Sequence, residues 1–381
     1  MNIVWFKNDL RTRDNQSLFQ AAQTKKPLLA VYFFDPKQFK TDRFGFKKTE
    51  KYRAQFLSET INELRSELEK LNITLLVYTE EPEVKLPELI NTYNIENVYL
   101  QKEWTFEERL VVDGVKTNCP ASVEFIETYD QFLIHPEDLP YPSFDKIPEV
   151  FTQWRKKCEK QANIRKTVEV QPLDPENLLG ETTAIPSLEE LGLESFEVDE
   201  RTAFPFKGGE LQALKRVEHY FWETKNLARY KKTRNGLVGK EYSSKLSAWL
   251  ANGSISPRTI YYEVKQFEKE ETKNDSTYWL IFELYWRDFF KYVSLKHGAK
   301  IFHLGGILNK DYNWSTNQTQ IQQWINGETA SDFVNANMIE IKGTGWMSNR
   351  GRQNVASYFA KELELVKKSV GKTTLLLFLS K

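Results

Sequence analysis

Residues 1–34, MNIVWFKNDLRTRDNQSLFQAAQTKKPLLAVYFF, contain two short apolar runs separated by a longer polar stretch. Such runs are typical of parallel strands that are buried on both faces. Five of them occur in the first third of the chain: IVWF (3–6), LLAVYFF (28–34), ITLLVY (73–78), NVYLQ (97–101) and VEFIE (123–127). The segments between them, clearest at 49–71 and 82–93, have helical spacing and charged faces. This alternation predicts an α/β domain with a doubly wound parallel sheet.

The alternation of apolar runs and helical segments ends after residue 127, and two different patterns follow. From about residue 135 to 205 the chain is rich in Pro and Glu, which indicates a long ordered connection with little regular structure and one helix near 151–160. Beyond Gly208 and Gly209 apolar residues recur three and four apart, with Pro257 suited to a helix start and Gly298 to a helix end. We therefore predict four regions: an α/β domain (1–130), a connection (131–205), an all-α domain (206–365) and an atypical tail (366–381).

Composition restricts the class of protein. The chain has 381 residues, 40% of them hydrophobic, and equal numbers of basic and acidic residues, 53 each. Any nucleic-acid binding must therefore come from a local basic patch. Two cysteines and an N-terminus that becomes charged after a few apolar residues favour a cytoplasmic protein without a membrane partner. The first strand is not followed by GxGxxG, which disfavours a classical NAD enzyme, and we predict no metal site.

The run SSKLS offers hydroxyl and backbone N–H groups near a predicted helix start. Such groups can hold a diphosphate without a P-loop. In isolation the run also fits an ordinary serine N-cap. The candidate ligand-binding residues are Ser243, Ser244, Lys245, Leu246 and Ser247.

A second candidate lies in STYWLIFELYWRDFF, where Glu283, Trp286 and Arg287 are three and four residues apart. One helical face would then present a carboxylate, a flat ring and a guanidinium. The alternative for such a helix is an internal Glu283–Arg287 ion pair beside a core tryptophan.

The third candidate is GTGWMSNRGRQNVASYF, in which Asn349, Arg350 and Arg352 fall within one turn. An amide beside two guanidinium groups can bind a cofactor edge and phosphates on one side and a nucleic-acid phosphate on the other. Lys231, Lys232 and Arg234 add positive charge, although a solvated helix face is the commoner meaning of such a cluster.

Three segments together resemble the cryptochrome/photolyase family, nearest to the DASH cryptochromes: IVWFKNDLRTRDNQSL, FKGGELQALKRVEHYFW with the following YKKTRNGLVGKEYSSKLSAWLANGSISPRTIY, and GTGWMSNRGRQNVASYF. The resemblance implies an N-terminal antenna domain and a helical domain that binds FAD. By it, the FAD-binding residues would be Tyr230, Ser243, Ser244, Lys245, Leu246, Ser247, Arg287, Asn349 and Arg352.

The resemblance also implies an activity. Reduced, light-excited flavin would pass an electron to a cyclobutane pyrimidine dimer, held against Glu283 and Trp286, and take it back after the ring opens. Damaged or single-stranded DNA would be the partner of a monomeric protein, bound by Trp286, Arg350, Lys231 and Lys232. Trp314 would be the outermost residue of an electron-transfer chain. Glu103 would contact a methenyltetrahydrofolate antenna, although an ordinary surface Glu is the alternative.

The similarity to the family ends at about residue 365, where the chain continues as VKKSVGKTTLLLFLSK. GKTT is not a P-loop, because Val366 stands where the motif requires Gly, and LLLFL is too short to span a bilayer. We expect from this a truncated flavin domain and weak flavin binding. The alternative function is therefore a non-catalytic blue-light photoreceptor, or a nucleic-acid-binding relic without a competent flavin.

Overall fold

The N-terminal part of the chain is a parallel sheet with helices on both faces. A computed structural model describes residues 1–41, 45–311 and 313–364; the predicted tail at 366–381 lies outside these residues. The five strands lie in the order β3-β2-β1-β4-β5 and every pairing is parallel. Their bounds are Asn2–Trp5 (β1), Leu28–Phe33 (β2), Thr74–Tyr78 (β3), Asn97–Gln101 (β4) and Glu124–Thr128 (β5). The five apolar runs therefore become the five strands, and the predicted fold class is confirmed.

Alternation along the strands divides the apolar side chains between the two faces. Val4 and Ala30 belong to one buried cluster, whereas Ile3 and Val31 belong to another on the opposite face. The first cluster is covered by helices α1 (Gln16–Gln23) and α2 (Lys51–Lys70), and the second by α3 (Pro82–Thr92) and α4 (Phe106–Asn118). Because the chain builds outward from β1 in both directions, the switch point of the sheet lies between β1 and β4.

The connection from β5 to the helical region is irregular except for short 3₁₀ turns and helix α5 (Phe151–Gln161), as predicted. Phe151, Trp154 and Cys158 of α5 are buried in the core of the helical domain. Further along, Leu188 and Leu191 pack into the first buried cluster on the sheet. The connection thus contributes to both cores.

The helical domain is built around one long central helix, α10. Asn274 and Thr277 form a capping box at its start, and Gly298, with φ 53°, ends it. Ser256 caps α9, with Pro257 in the first turn. No helix of the described residues is long and apolar enough to cross a membrane. The helices are α6 (Glu210–Val217), α7 (Tyr230–Thr233), α8 (Ser247–Asn252), α9 (Pro257–Glu270), α10 (Asp275–His297), α11 (Gln318–Asn326), α12 (Asp332–Thr344) and α13 (Asn349–Ser357).

Four buried charged side chains join the two domains, and we call them the interdomain ion cluster: Arg11, Asp14, Asp130 and Arg258. Arg11 lies 2.7 Å from Asp130, and Arg258 lies 2.7 Å from Asp14 and 2.8 Å from Asp130. Two cations thus face two carboxylates away from water. The charged loop after β1 is therefore a contact between domains.

Candidate cofactor and nucleic-acid site

The SSKLS loop has a backbone conformation suited to an anion. Lys245 has a left-handed φ of 63°, and Leu246 follows in the right-handed helical region at φ −70° and ψ −6°. Successive residues of opposite hand turn their N–H groups toward one point. Leu246, not a serine, is the N-cap residue of α8, and its side chain makes no cap hydrogen bond. The interpretation as an ordinary serine N-cap is therefore wrong.

Lys245 is a buried cation without a hydrogen-bond acceptor. The residue is 3% exposed, and its Nζ has no hydrogen-bond partner among the residues that the structure describes. The ammonium lies 3.4 Å from the ring centroid of Tyr242 and 4.9 Å from that of Trp346. Burial lowers the pKa of Lys245 to about 7, opposed in part by Glu340. A polar group in this position loses its hydration without replacement, so it favours an anionic ligand.

Arg352 approaches the same region from α13. Ser348 caps this helix by accepting a hydrogen bond from the N–H of Gly351 at 2.9 Å. Arg352 is 6% exposed and donates from Nε to the carbonyl of Met347 at 2.9 Å. Burial lowers its pKa to about 10, and Glu340 is the main group that opposes the shift. Glu340 thus acts on both Lys245 and Arg352.

Two of the three sequence segments predicted to bind one ligand are therefore neighbours in space. Asn349 and Arg350, which precede Arg352 in the first turn of α13, are exposed, as is Ser247. Tyr242, Trp346 and Glu340 were not among the sequence candidates. Tyr242 and Trp346 lie within the quoted segments, but their ring contacts with Lys245 cannot be read from local sequence. Glu340 acts on Lys245 through its charge.

The three candidates on α10 contact different neighbours. Glu283 pairs with Arg234 at 2.7 Å, and burial raises the pKa of Glu283. Arg287 donates to the carbonyls of Gln131 and Leu250. The alternative of an internal Glu283–Arg287 ion pair is thus wrong.

The aromatic candidate on α10 is packed against other rings. Trp286 stacks on Phe151, with centroids 3.6 Å apart, and on Phe290, with centroids 5.3 Å apart. Phe290 is 63% exposed, whereas Phe151 is buried. A base that stacked on the indole would therefore compete with these rings.

The basic candidates lie along one exposed edge. Arg350 donates to the side chain of Asn235 at 3.3 Å, which places it next to Arg234. Lys231 pairs with Asp275 at 2.9 Å, and Lys232 is exposed.

Two further candidates lie in the helical domain. Tyr230 is 7% exposed and belongs to the core of this domain. Trp314 is half-buried and donates to the carbonyl of Leu304 at 3.4 Å. The flavin contact of Tyr230 and the electron-transfer role of Trp314 stay predictions.

Glu103 lies at the switch point of the sheet, just after β4. Its carboxylate accepts hydrogen bonds from the amides of Asn8 (3.3 Å), Gln101 (3.1 Å) and Gln131 (3.4 Å). The ammonium of Lys291 on α10 contacts Gln131 on the same side. Glu103 is 9% exposed. The alternative of an ordinary surface Glu is thus wrong.

Comparisons with known proteins agree with this architecture. The family model for DNA photolyase matches residues 2–176, and that for the FAD-binding domain of DNA photolyase matches residues 279–374. The cryptochrome DASH of Gloeobacter violaceus is 42% identical over 362 residues, covering 95% of this chain and 72% of the relative. That of Xenopus laevis is 43% identical over 368 residues, covering 95% and 70%.

Solved structures of cryptochromes and photolyases share this fold. The cryptochrome of Synechocystis sp. PCC6803 superposes with a TM-score of 0.90 at 42% identity, over 96% of this chain and 76% of that one. A class III photolyase of Agrobacterium tumefaciens, at 20% identity and a TM-score of 0.74, shares the fold over 100% of this chain and 75% of its own. The chain belongs to the cryptochrome/photolyase family, and its relatives within it are the cryptochromes DASH.

Proposed function

We propose that this protein is an FAD-dependent, light-driven photolyase of the cryptochrome DASH type that repairs cyclobutane pyrimidine dimers, preferentially in single-stranded DNA. The observation that carries the proposal is the Lys245 ammonium, which is buried and has no hydrogen-bond acceptor among the residues that the structure describes. Arg352 is a second buried cation of this region. Glu340 is the carboxylate that acts on both. The diphosphate of FAD would supply the acceptor that the Lys245 ammonium lacks among the described residues.

The residues present fit this cofactor. The N–H groups around Lys245 and Leu246, with the Ser243, Ser244 and Ser247 hydroxyls, would bind phosphate oxygens. Arg352 and Asn349 would hold the opposite edge from α13. Arg287 uses two of its five N–H donors on carbonyls and keeps others for the cofactor.

Bound FAD, when reduced and excited by blue light, would supply an electron to the dimer and accept it back after the ring opens. The protein holds the reactants together and excludes water. Glu283 is fixed by Arg234 on the edge that also carries Arg350. Arg350 and Lys232 would bind phosphates, while Glu283 would hydrogen-bond the damaged base. A single strand spares the cost of removing the base from a duplex.

We further propose that the region around Glu103 binds an antenna such as methenyltetrahydrofolate. In open α/β sheets, ligands bind at the carboxyl ends of strands beside the switch point. Glu103 lies there, with hydrogen-bonding amides around it and Trp104 beside Lys291. Glu103→Gln should lower folate retention on reconstitution and leave flavin content unchanged. An equal loss of both chromophores would contradict this assignment.

The test is to purify the chain, record flavin absorbance, and assay dimer repair under blue light in single-stranded and duplex oligonucleotides. The proposal requires that the chain bind FAD and repair the single strand faster than the duplex. Glu283→Gln should retain flavin and repair more slowly, because the side chain keeps its shape and loses its charge. A flavin-containing chain without repair would favour a photoreceptor, and a chain that binds no flavin would favour a relic.

A further inference from the structure

Arg216 hydrogen-bonds three backbone carbonyls of the loop that precedes α8. Its guanidinium donates to the carbonyls of Lys240, Ser243 and Ser244, each at 3.0 Å. It also pairs with Glu241 at 3.1 Å. One side chain on α6 therefore hydrogen-bonds three of the five carbonyls of residues 240–244.

The guanidinium is itself held firmly. Its side chain is 1% exposed, and its central carbon lies 4.8 Å from the ring centroid of Phe206 and 4.9 Å from that of Tyr220. A planar group with five donors in a fixed arrangement can bond several carbonyls at once, which a lysine ammonium on a flexible stem cannot do with the same geometry.

These contacts determine which polar groups of the loop remain available. The carbonyls of Lys240, Ser243 and Ser244, which would repel an anion, are bonded to Arg216. The left-handed Lys245 then follows directly after the anchored Ser244, and its N–H begins the opposite-handed pair with Leu246. Arg216 thus bonds carbonyls of residues 240–244, and the N–H groups of Lys245 and Leu246 remain for a ligand.

We propose that Arg216 is a positioning residue: it fixes residues 240–244 so that the N–H groups that follow, and the Lys245 ammonium, present a donor-only surface to phosphate. The ligand, the diphosphate of FAD, rests on the proposed function; the ordering of the loop does not. Arg216 does not need to touch the cofactor to act in this way.

The first experiment requires no flavin. Hydrogen exchange of backbone amides is compared for the parent, Arg216→Gln and Arg216→Lys. The control is Arg229→Gln, because Arg229 is exposed and its side chain hydrogen-bonds only Asn226 among the described residues. We expect exchange in peptides covering 240–247 to rise about tenfold or more in Arg216→Gln. Exchange in β1 and α10 should stay at the parent rate. A uniform rise across the chain, or no rise in the loop, would overturn the proposal.

The lysine variant keeps the inference testable if Arg216→Gln fails to fold. Lysine retains the charge and much of the packing but bonds fewer carbonyls. We therefore expect faster loop exchange than in the parent, with a thermal unfolding temperature between those of the parent and Arg216→Gln. Parent-like exchange in this variant would show that charge alone suffices and would remove the positioning role.

The second experiment separates phosphate binding from ring binding. Parent and variants are titrated with FAD and with riboflavin, which has the ring system and lacks phosphate. For Arg216→Lys we expect the FAD dissociation constant to rise about tenfold, with riboflavin binding unchanged; an equal loss for both ligands would contradict the role. If the parent binds neither flavin, the proposed function fails, and the exchange experiment still decides the role of Arg216.

Discussion

Arg11 and Lys245 are both buried basic residues in polar loops, at 2% and 3% exposure, yet their surroundings differ. Arg11 contacts the Asp130 carboxylate at 2.7 Å and the carbonyls of Asp14 and Gly253. Lys245 lies over aromatic rings without a hydrogen-bond acceptor in the described part of the chain.

The difference separates structural charges from charges available to a ligand. A buried cation with a carboxylate and carbonyls around it is satisfied within the protein. A buried cation without an acceptor keeps an unmet requirement that an external anion can meet. Both loops look similar in sequence, rich in charged and hydroxyl residues, so partners rather than composition distinguish them.

The largest expected effect comes from unbalancing the interdomain ion cluster. Asp130→Asn leaves Arg11 and Arg258 facing one carboxylate, so the free energy of unfolding should fall by about 3–5 kcal/mol. Urea denaturation measures the change. Asp199→Asn, which breaks a solvent-screened pair with Arg201, is the control and should change stability far less. Similar losses in both variants would remove the distinction between buried and exposed pairs.

Arg287 combines the two behaviours, because it bonds carbonyls and is proposed to bind the cofactor. Arg287→Ala leaves the carbonyls of Gln131 and Leu250 without this donor and should lower the free energy of unfolding by about 1–3 kcal/mol. It should also abolish flavin retention. Absorbance after gel filtration and thermal unfolding report the two effects; unchanged flavin content would remove Arg287 from the cofactor site.

Lys245→Met should behave in the opposite way to Asp130→Asn. Methionine keeps the length of the side chain and removes the unmet charge, so stability without flavin should be unchanged or higher. Affinity for FAD should fall about 10- to 100-fold, because the variant loses one charge-assisted hydrogen bond to the cofactor. Urea denaturation and fluorescence titration test both expectations. A variant clearly less stable than the parent would place Lys245 with the structural charges.

The pH dependence provides a finer test of the same lysine. The pKa of Lys245 is lowered to about 7 by burial, with Glu340 and Glu241 opposing the shift and Arg216 adding to it. The unfolded chain therefore binds more protons than the folded one between pH 7 and about 10, and this lysine makes stability rise with pH over that range.

Anion binding should change in the opposite direction. A bound phosphate favours the ammonium form, so FAD affinity should fall as the pH rises above 7, by up to about tenfold per pH unit. Lys245→Met should remove this part of the slope. Titrations from pH 6 to pH 9 with both proteins provide the measurement, and identical slopes would assign the dependence to another group.

The smallest effect is expected at the exposed edge. Arg350→Ala should leave flavin content unchanged and alter the free energy of unfolding by about 0.5 kcal/mol or less. Binding of single-stranded DNA should weaken, and the slope of log affinity against log salt should decrease by about 1. Parallel salt titrations of parent and variant test this; equal slopes would exclude a phosphate contact at Arg350.

The sequence predicts the strands and helices well, and the contacts between distant side chains poorly. Strands and helices follow from local patterns, as in the run at 28–34, which becomes β2 (Leu28–Phe33), and at Pro257, which starts α9. The role of Arg216 is invisible locally, because the segment LQALKRVEHY fits an amphipathic helix whose basic residues face solvent. Likewise, Glu283 pairs with Arg234, which directly follows α7, and no helical spacing predicts that contact.

The interdomain ion cluster also has a consequence for the order of synthesis. Asp14 and Asp130 both leave the ribosome before Arg258, which follows Asp130 by 128 residues. At about 5–20 residues per second, this delay lasts roughly 6–26 s. During this delay the carboxylates of Asp14 and Asp130 have only Arg11 of the cluster as a cation. Water must therefore hydrate the surface that α9 later covers. The nascent N-terminal domain therefore completes its own burial only when the beginning of α9 arrives.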